Sequence, residues 1–249
     1  MTFGYFIWTD LSTYDIDVAK SDYAKLFGWT FHGDSAYDFA IQDEREVAAV
    51  FPMPARLAEM NMPSFWMSYI HVEDVDKTVA KARNHKDVII EIEPQAFNSD
   101  ARIALVRDPS GAGFTVYQGP DISSFQGGLG QVAMRYHHVP TIKLITEFYH
   151  DLFAWTFHKV TDKPWPIYDI KHSDGSIIAQ AEEVPESIRG QYRYWMPCFT
   201  VGSLKEIRDK LETLDAEITS ELSNDRILVA DRQGGHFMIS AADSVNRVG

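Results

Sequence analysis

The side chains able to do chemistry in this chain are few and dispersed. It has 249 residues, nine histidines and one cysteine. His71, His137, His138 and His236 stand in or beside strand-like stretches. His137 and His138 are adjacent on a predicted strand, so they face opposite sides and cannot chelate one ion together. Cys198, in Trp195-Met196-Pro197-Cys198-Phe199, reads as a small core residue whose thiol burial would keep inert. A single cysteine also excludes a disulfide framework and a multi-cysteine zinc site. No Gly-x-Ser-x-Gly elbow, Gly-x-Gly-x-x-Gly turn or Walker loop is present. Gly127-Gly128-Leu129-Gly130 lacks the strand-to-helix context of a phosphate cradle.

Large apolar side chains are better represented: Trp8, Trp66, Met67, Tyr69, Tyr136, Trp195, Met196 and Met238. Around a pocket they would suit planar, mostly apolar ligands with a few polar handles. Asp10 is one such handle and would favour a cationic group. Arg102 and Arg226, at matching places before a penultimate strand, could close over an anionic group. The same side chains also suit an ordinary core with arginines on its rim.

Internal repeats indicate which elements must position these residues. Leu26-Phe27-Gly28-Trp29-Thr30-Phe31-His32 is answered 126 residues later by Leu152-Phe153-Ala154-Trp155-Thr156-Phe157-His158. Ahead of them, Ala19, Tyr23, Leu26 and Phe27, and again Ile145, Tyr149, Leu152 and Phe153, form helical stripes. Asp15 and Thr141 are the expected N-caps. A second pair of segments begins at Trp66-Met67 and Trp195-Met196, continues into helices over about 75–82 and 204–214, and ends in hairpins from Arg102 and Arg226. The chain therefore reads as four modules, A, B, A′ and B′, each a strand, a helix and two or three strands. Modules at about 3–53 and 64–118 give a first domain, 1–120, and modules at about 131–183 and 193–241 a second, 131–249. The Gly- and Pro-rich residues 121–130 are the expected linker.

Composition narrows the function classes. With 45% apolar and 24% charged residues the chain is an ordinary globular sequence. A net charge of −13 argues against nucleic acid and anionic membrane surfaces as partners. No apolar run approaches the ~20 residues that span a bilayer. The first ten residues lack a basic, cleavable leader pattern, so a cytoplasmic location is expected. A monomer and a homodimer are both compatible with the sequence.

Paired modules with an Asp-Pro-x-Gly turn before the last strand, as in Asp108-Pro109-Ser110-Gly111-Ala112, resemble the vicinal-oxygen-chelate superfamily of glyoxalases, extradiol dioxygenases and bleomycin-resistance proteins. Trp8-Thr9-Asp10-Leu11-Ser12-Thr13-Tyr14-Asp15 and Tyr69-Ile70-His71-Val72-Glu73-Asp74-Val75-Asp76 are similar to signatures of its two-domain glyoxalase or bleomycin-resistance-like branch. The resemblance implies an α+β fold in which four βαβββ modules form two domains with curved mixed sheets, each a cup for a ligand. It also implies where a divalent metal would be held, by His or Glu on the first and last strands of each module. Those places carry Trp8, with Asp10 two residues on, then Met67, Thr115, Met134, Met196 and Met238. Val47 to Phe51 offers no ligand, and Gln180 is the only polar candidate in the strand expected at Ile177 to Ala181. Thioethers and indoles are poor partners for a hard cation. The implied protein thus binds a small, partly aromatic or apolar molecule without a metal or other cofactor. The alternative is a metal-dependent lyase, isomerase or dioxygenase with a relocated site drawn from Asp10, His71, His138 and His236, where His138 and His236 could pair. A third reading is a structural protein whose cups are filled by its own side chains.

Overall fold

The computed structural model describes residues 3–34, 36–122, 128–190 and 193–242. Part of the expected linker, 123–127, lies outside the described residues. Module A runs β1 (Phe6–Thr13), α1 (Ile16–Phe27), β2 (Thr30–Gly33), β3 (Asp38–Gln42) and β4 (Arg45–Pro52), followed by the short α2 (Ala55–Glu59). Module B runs β5 (Phe65–His71), α3 (Val75–Ala82), β6 (Ile89–Ala96), β7 (Arg102–Arg107) and β8 (Gly113–Gln118). Module A′ runs β9 (Val132–Val139), a 3-10 turn at Ile142–Leu144, α4 (Thr146–Phe153), β10 (Thr156–Thr161), β11 (Ile167–Lys171) and β12 (Ile177–Glu183), followed by α5 (Glu186–Arg189). Module B′ runs β13 (Trp195–Val201), α6 (Leu204–Thr213), β14 (Glu217–Ser223), β15 (Arg226–Ala230) and β16 (His236–Ala241).

Each module is βαβββ, and the repeat extends to topology. One eight-stranded sheet has the order β2-β3-β4-β1-β5-β8-β7-β6 and the other β10-β11-β12-β9-β13-β16-β15-β14. The second order is the first with eight added to every strand number. First and last strands of a module pair in parallel, as in β1–β4 and β9–β12, and the intervening hairpins are antiparallel, so both sheets are mixed.

The caps follow local chemistry and then diverge between repeats. Asp15 caps α1 by accepting from the Val18 N–H, and Gly28 ends it in the left-handed region at φ 79°. In module A′ the equivalent of Gly28 is Ala154, held at φ 57° where a Cβ is strained. Thr141 does not cap there, contrary to expectation, because the Glu183 carboxylate accepts both the Ile142 N–H and the Thr141 hydroxyl.

By compactness the chain divides into two units. The first comprises residues 1–8, 67–123 and 135–195, and the second 9–66, 124–134 and 196–249. In the first, Val75, Val79 and Ala82 of α3, Ile145 just before α4, and Phe148, Tyr149 and Phe153 of α4 pack with Phe114, Trp155 and Trp195. In the second, Tyr23, Leu26 and Phe27 of α1 and Ile207 and Leu211 of α6 pack with Trp29, Trp66, Phe199 and Phe237. Such aromatic clusters bury large apolar area and supply most of the driving force for each core.

Each core contains the same polar chain, tied to the turn before a module's last strand. In the first unit Asp108 accepts from the backbone N–H groups of Ser110 and Ala112, and the Tyr149 hydroxyl donates to it at 2.9 Å. The Trp195 indole N–H donates in turn to Tyr149 at 2.6 Å. In the second unit Asp231 accepts from the N–H groups of Gln233 and Gly235 and from Tyr23 at 2.8 Å, and Trp66 donates to Tyr23. A buried carboxylate so placed satisfies a turn and two aromatic polar atoms at once.

One position separates the two chains of bonds. His137, fully buried, bonds Asp108 through Nε2 at 2.7 Å, whereas its repeat equivalent Leu11 joins the second core. Burial raises both aspartates, but at Asp108 the charge and hydrogen bond of His137, with those of Ser110 and Tyr149, outweigh it and leave the carboxyl below its ordinary range. At Asp231 burial prevails and the carboxyl lies above that range.

Arg135, two residues before His137, is 3% exposed, and among the described residues no carboxylate pairs with it. Its Nη2 donates to the Trp8 carbonyl at 3.2 Å, its guanidinium lies 4.8 Å from the Phe6 ring centroid, and burial lowers its pKa to about 9.

Candidate functional site

Modules A and A′ present a sheet face that their helices do not cover, and the side chains on it are set by register. In the first unit, Val139, Ile170, Ala179 and Ala181 point to the α4 core. Alternation therefore puts Tyr136 and His138 of β9 with Gln180 and Glu182 of β12 on the opposite face. Glu182 pairs with His138 in register, and Gln180 with Tyr136 and Asp169. The His138 imidazole, 4% exposed, is 3.9 Å from the fully buried Glu182 carboxylate. The Trp165 indole N–H, from the segment before β11, donates to the same Glu182 oxygen at 2.7 Å. Gln180 donates to Asp169 at 2.8 Å.

The equivalent face in the second unit is aromatic. Asp10 pairs with Ala49, and Ser12 with Phe51, where module A′ carries His138 and Glu182. Tyr37 donates its hydroxyl to the buried Asp10 at 2.9 Å, and its ring stacks on Phe51 and meets Phe39 edge-on. Each face therefore holds a buried carboxylate to which an aromatic side chain donates. An imidazole, a carboxylate and an indole in contact can accept a ligand's hydrogen-bond donor and can move a proton.

The structure distributes the remaining candidates among several settings. Trp66 and Trp195 belong to the cores, bonded to Tyr23 and Tyr149. Trp8 is buried, with its carbonyl accepting from Arg135. Tyr69 and Thr115 are register partners on β5 and β8, and Met67 lies beside Gly113. Met196 and Met238 are buried on β13 and β16, Met238 opposite Cys198. Arg102 is engaged at the surface, donating to the Asp76 carboxylate at 2.9 Å and 3.1 Å. Arg226 pairs with Ser240 at the start of β15, and His236 places Nδ1 2.9 Å from the Gly234 carbonyl. His138 falls in the first unit and His236 in the second.

Glu182, Trp165 and Tyr37 were not singled out from the sequence. For Glu182 the signal was present: β12 continues to Glu183, beyond the expected end at Ala181, and alternation from Gln180 lands on Glu182.

The donors on this face are few for a divalent metal. Among the described residues no three His, Cys, Asp or Glu side chains are grouped to hold an ion. His138 and Glu182 supply two donors, and one Glu182 oxygen already accepts the Trp165 N–H. Structural and catalytic zinc sites use three or four protein ligands. His71, another expected contributor, sits 3.1 Å from the Gly119 carbonyl through Nε2. Among the described residues no helix is long and apolar enough to cross a membrane.

Comparison with known proteins places the geometry in context. Residues 6–116 match the model of the Glyoxalase/Bleomycin resistance protein/Dioxygenase superfamily. CFP32, a Mycobacterium tuberculosis protein provisionally named a glyoxylase, is 36% identical over 118 residues, which cover 45% of this chain and 44% of that protein. The anthracycline biosynthesis protein DauV of a Streptomyces species is 27% identical over 187 residues, 65% of this chain and 66% of its own. The matches thus span less than two thirds of either relative. Among solved structures, an extradiol ring-cleaving dioxygenase from B. fuscum aligns with TM-score 0.63 at 14% identity, covering 96% of this chain and 72% of that one. A Mn(II)-bound glyoxalase from Novosphingobium aromaticivorans aligns with TM-score 0.60 at 12% identity, covering 97% and 83%. At such identities these structures show a shared fold.

Proposed function

We propose, for a chain whose residues 6–116 belong to the Glyoxalase/Bleomycin resistance protein/Dioxygenase superfamily and whose two sheets carry that fold, metal-independent binding of a small, planar, partly aromatic molecule. The observation that carries this reading is the His138–Glu182–Trp165 group. It is the polar centre of a module face, it has two metal-type donors, and an indole N–H already occupies the carboxylate. A ligand donor that replaces or joins this N–H would gain a charge-assisted hydrogen bond in a buried setting. The aromatic surround of Asp10 in the second unit suits the flat part of a similar molecule. Similarity to DauV, named for anthracycline biosynthesis, supports a fused-ring ligand.

Fluorescence titration of the protein with an anthracycline, in the presence of a chelator, tests the reading. Saturable binding indifferent to the chelator is expected, with Glu182→Gln or Asp10→Asn weakening it by about tenfold or more, the equivalent of one charged hydrogen bond. Binding that disappears with the chelator, or the absence of saturable binding, would contradict it.

A second reading has its own observation. An imidazole beside a carboxylate can act as an acid–base pair, so His138 and Glu182 could move a proton on the bound molecule without a metal. Turnover that persists in His138→Ala would remove that reading and leave binding alone.

A further inference from the structure

Modules A and A′ share a topology but line their uncovered faces with different chemistry. In module A′ one register row carries Asp169, Gln180 and Tyr136, and Glu182 pairs with His138 in the next. The matching rows of module A carry Phe39, Ala49 and Asp10, and then Phe51 with Ser12. Phenyl rings in module A thus stand where module A′ has the carboxylates of Asp169 and Glu182. Asp10 is the carboxylate on the module A rows, and it is fully buried. All of these module A residues belong to the second unit.

The rings form a continuous surface that ends on this carboxylate. The Tyr37 hydroxyl donates to Asp10 at 2.9 Å. The Tyr37 ring lies 5.9 Å from Phe51 at an interplanar angle of 26°, and 5.2 Å from Phe39 at 73°. At the outer end His32 stacks on Phe39 at 5.4 Å and places Nε2 3.5 Å from the exposed Glu46 carboxylate. Tyr37, Phe39 and Phe51 are each half-buried, so part of every ring stays open to solvent while Asp10 does not.

Charge decides which planar molecule suits such a surface. A buried carboxylate attracts a cation more strongly than an exposed one, because water screens it less. Aromatic faces carry the negative side of the ring quadrupole and attract a cation as well. Carboxylate and rings therefore act in the same direction on an ammonium, and a neutral group of the same shape gains only the apolar contact. A carboxylate has about four acceptor positions, so an ammonium can donate to Asp10 beside the Tyr37 hydroxyl or in its place.

We infer that the module A face binds an organic ammonium, a protonated amine on a flat apolar body. Asp10 accepts from the ammonium, and the rings of Tyr37, Phe39 and Phe51 hold its charge and the flat body. The inference rests on the reading of the module faces as small-molecule sites and adds the charge of the molecule.

Calorimetric titration of the full chain with benzylamine and with benzyl alcohol, at neutral pH and constant ionic strength, tests this. Benzylamine should bind about tenfold or more tightly than the alcohol. Asp10→Asn keeps an acceptor for the Tyr37 hydroxyl and should weaken benzylamine by about tenfold or more, leaving the alcohol unchanged. Phe39→Leu and Phe51→Leu keep apolar bulk, remove a ring face and should each weaken benzylamine by about threefold or more. Glu59→Gln, at an exposed position of α2, should leave binding unchanged and so separates Asp10 from the general acidity of the chain. Should a leucine variant fail to fold, the Asp10→Asn comparison decides alone. No benzylamine binding, equal binding of amine and alcohol, or benzylamine binding indifferent to Asp10→Asn would overturn the inference. The proposed function falls separately, on the fused-ring titration, because it requires no charge on the ligand.

Discussion

Arg135→Met is expected to raise the stability of this protein, because the wild-type guanidinium is buried without a carboxylate partner. The lowering of its pKa by burial, from the ordinary guanidinium range to about 9, corresponds to a penalty on the order of 5 kcal/mol on the charged form at neutral pH. Two contacts offset it: the hydrogen bond to the Trp8 carbonyl and the position over the Phe6 ring. Together they are worth roughly 3–4 kcal/mol. Methionine nearly matches the length of the stem, removes the charge and leaves the Trp8 carbonyl to find another donor. A net gain of about 1–2 kcal/mol is therefore expected, in line with other replacements of buried charges by apolar side chains of similar volume. Urea unfolding at pH 7 measures it, with an unchanged slope confirming that the native state keeps its compactness. The pH dependence supplies a second check. The unfolded guanidinium keeps its proton well above the point, about 9, from which the folded one releases it, so the wild-type penalty is complete below about 9 and fades above it. The advantage of Arg135→Met should shrink in the same window. A variant less stable than wild type by more than about 2 kcal/mol at pH 7 would refute the reasoning, since it would mean that the guanidinium contacts outweigh its burial.

Three further outcomes follow from comparing the repeats. Tyr149→Phe strands the Trp195 N–H and removes one donor from Asp108, and should cost about 2–4 kcal/mol in the same urea assay. His137→Leu copies Leu11 into the first core and leaves Asp108 without its imidazole, for a loss of about 3–5 kcal/mol at pH 7. A carboxyl held low contributes stability above its unfolded pKa and loses it as pH falls through the folded value, so the gap between wild type and this variant should persist down to pH ~4 and narrow below it. A gap that stays equal below pH ~4 as well would point to shape alone. Ala154→Gly relieves the left-handed strain that Gly28 avoids in module A, and a thermal melt should show a gain of about 0.5–1 kcal/mol.

Much of the fold was legible in the sequence because repetition fixes it. The Trp29/Trp155 and Trp66/Trp195 pairs mark the same structural roles, and four βαβββ modules with identical sheet orders follow from them. Side-chain competition was less legible. Thr141 has the right type and spacing for a cap, but Glu183, distant in sequence, takes the N–H it would have been near. Trp66 and Trp195 offer the surface of a ligand pocket, yet each carries an N–H that a buried tyrosine accepts, and this bond commits them to the cores. Arg102 could have closed over an anion but finds Asp76 one helix away. The polar face of module A′ depended on strand length: two further residues of β12 bring Glu182 into register with His138. A weakened repeat in the second half thus marks where module A′ exchanged Ser12 and Phe51 for an imidazole and a carboxylate.

Binding without a metal is the centre of this account, and metal content tests it most directly. Elemental analysis of the purified protein, after expression with manganese, iron, zinc and nickel supplied and dialysis without chelator, should find each divalent ion well below one per chain, with fused-ring ligand binding intact. One tightly held divalent ion per chain, lost together with ligand binding on His138→Ala or Glu182→Gln, would contradict it.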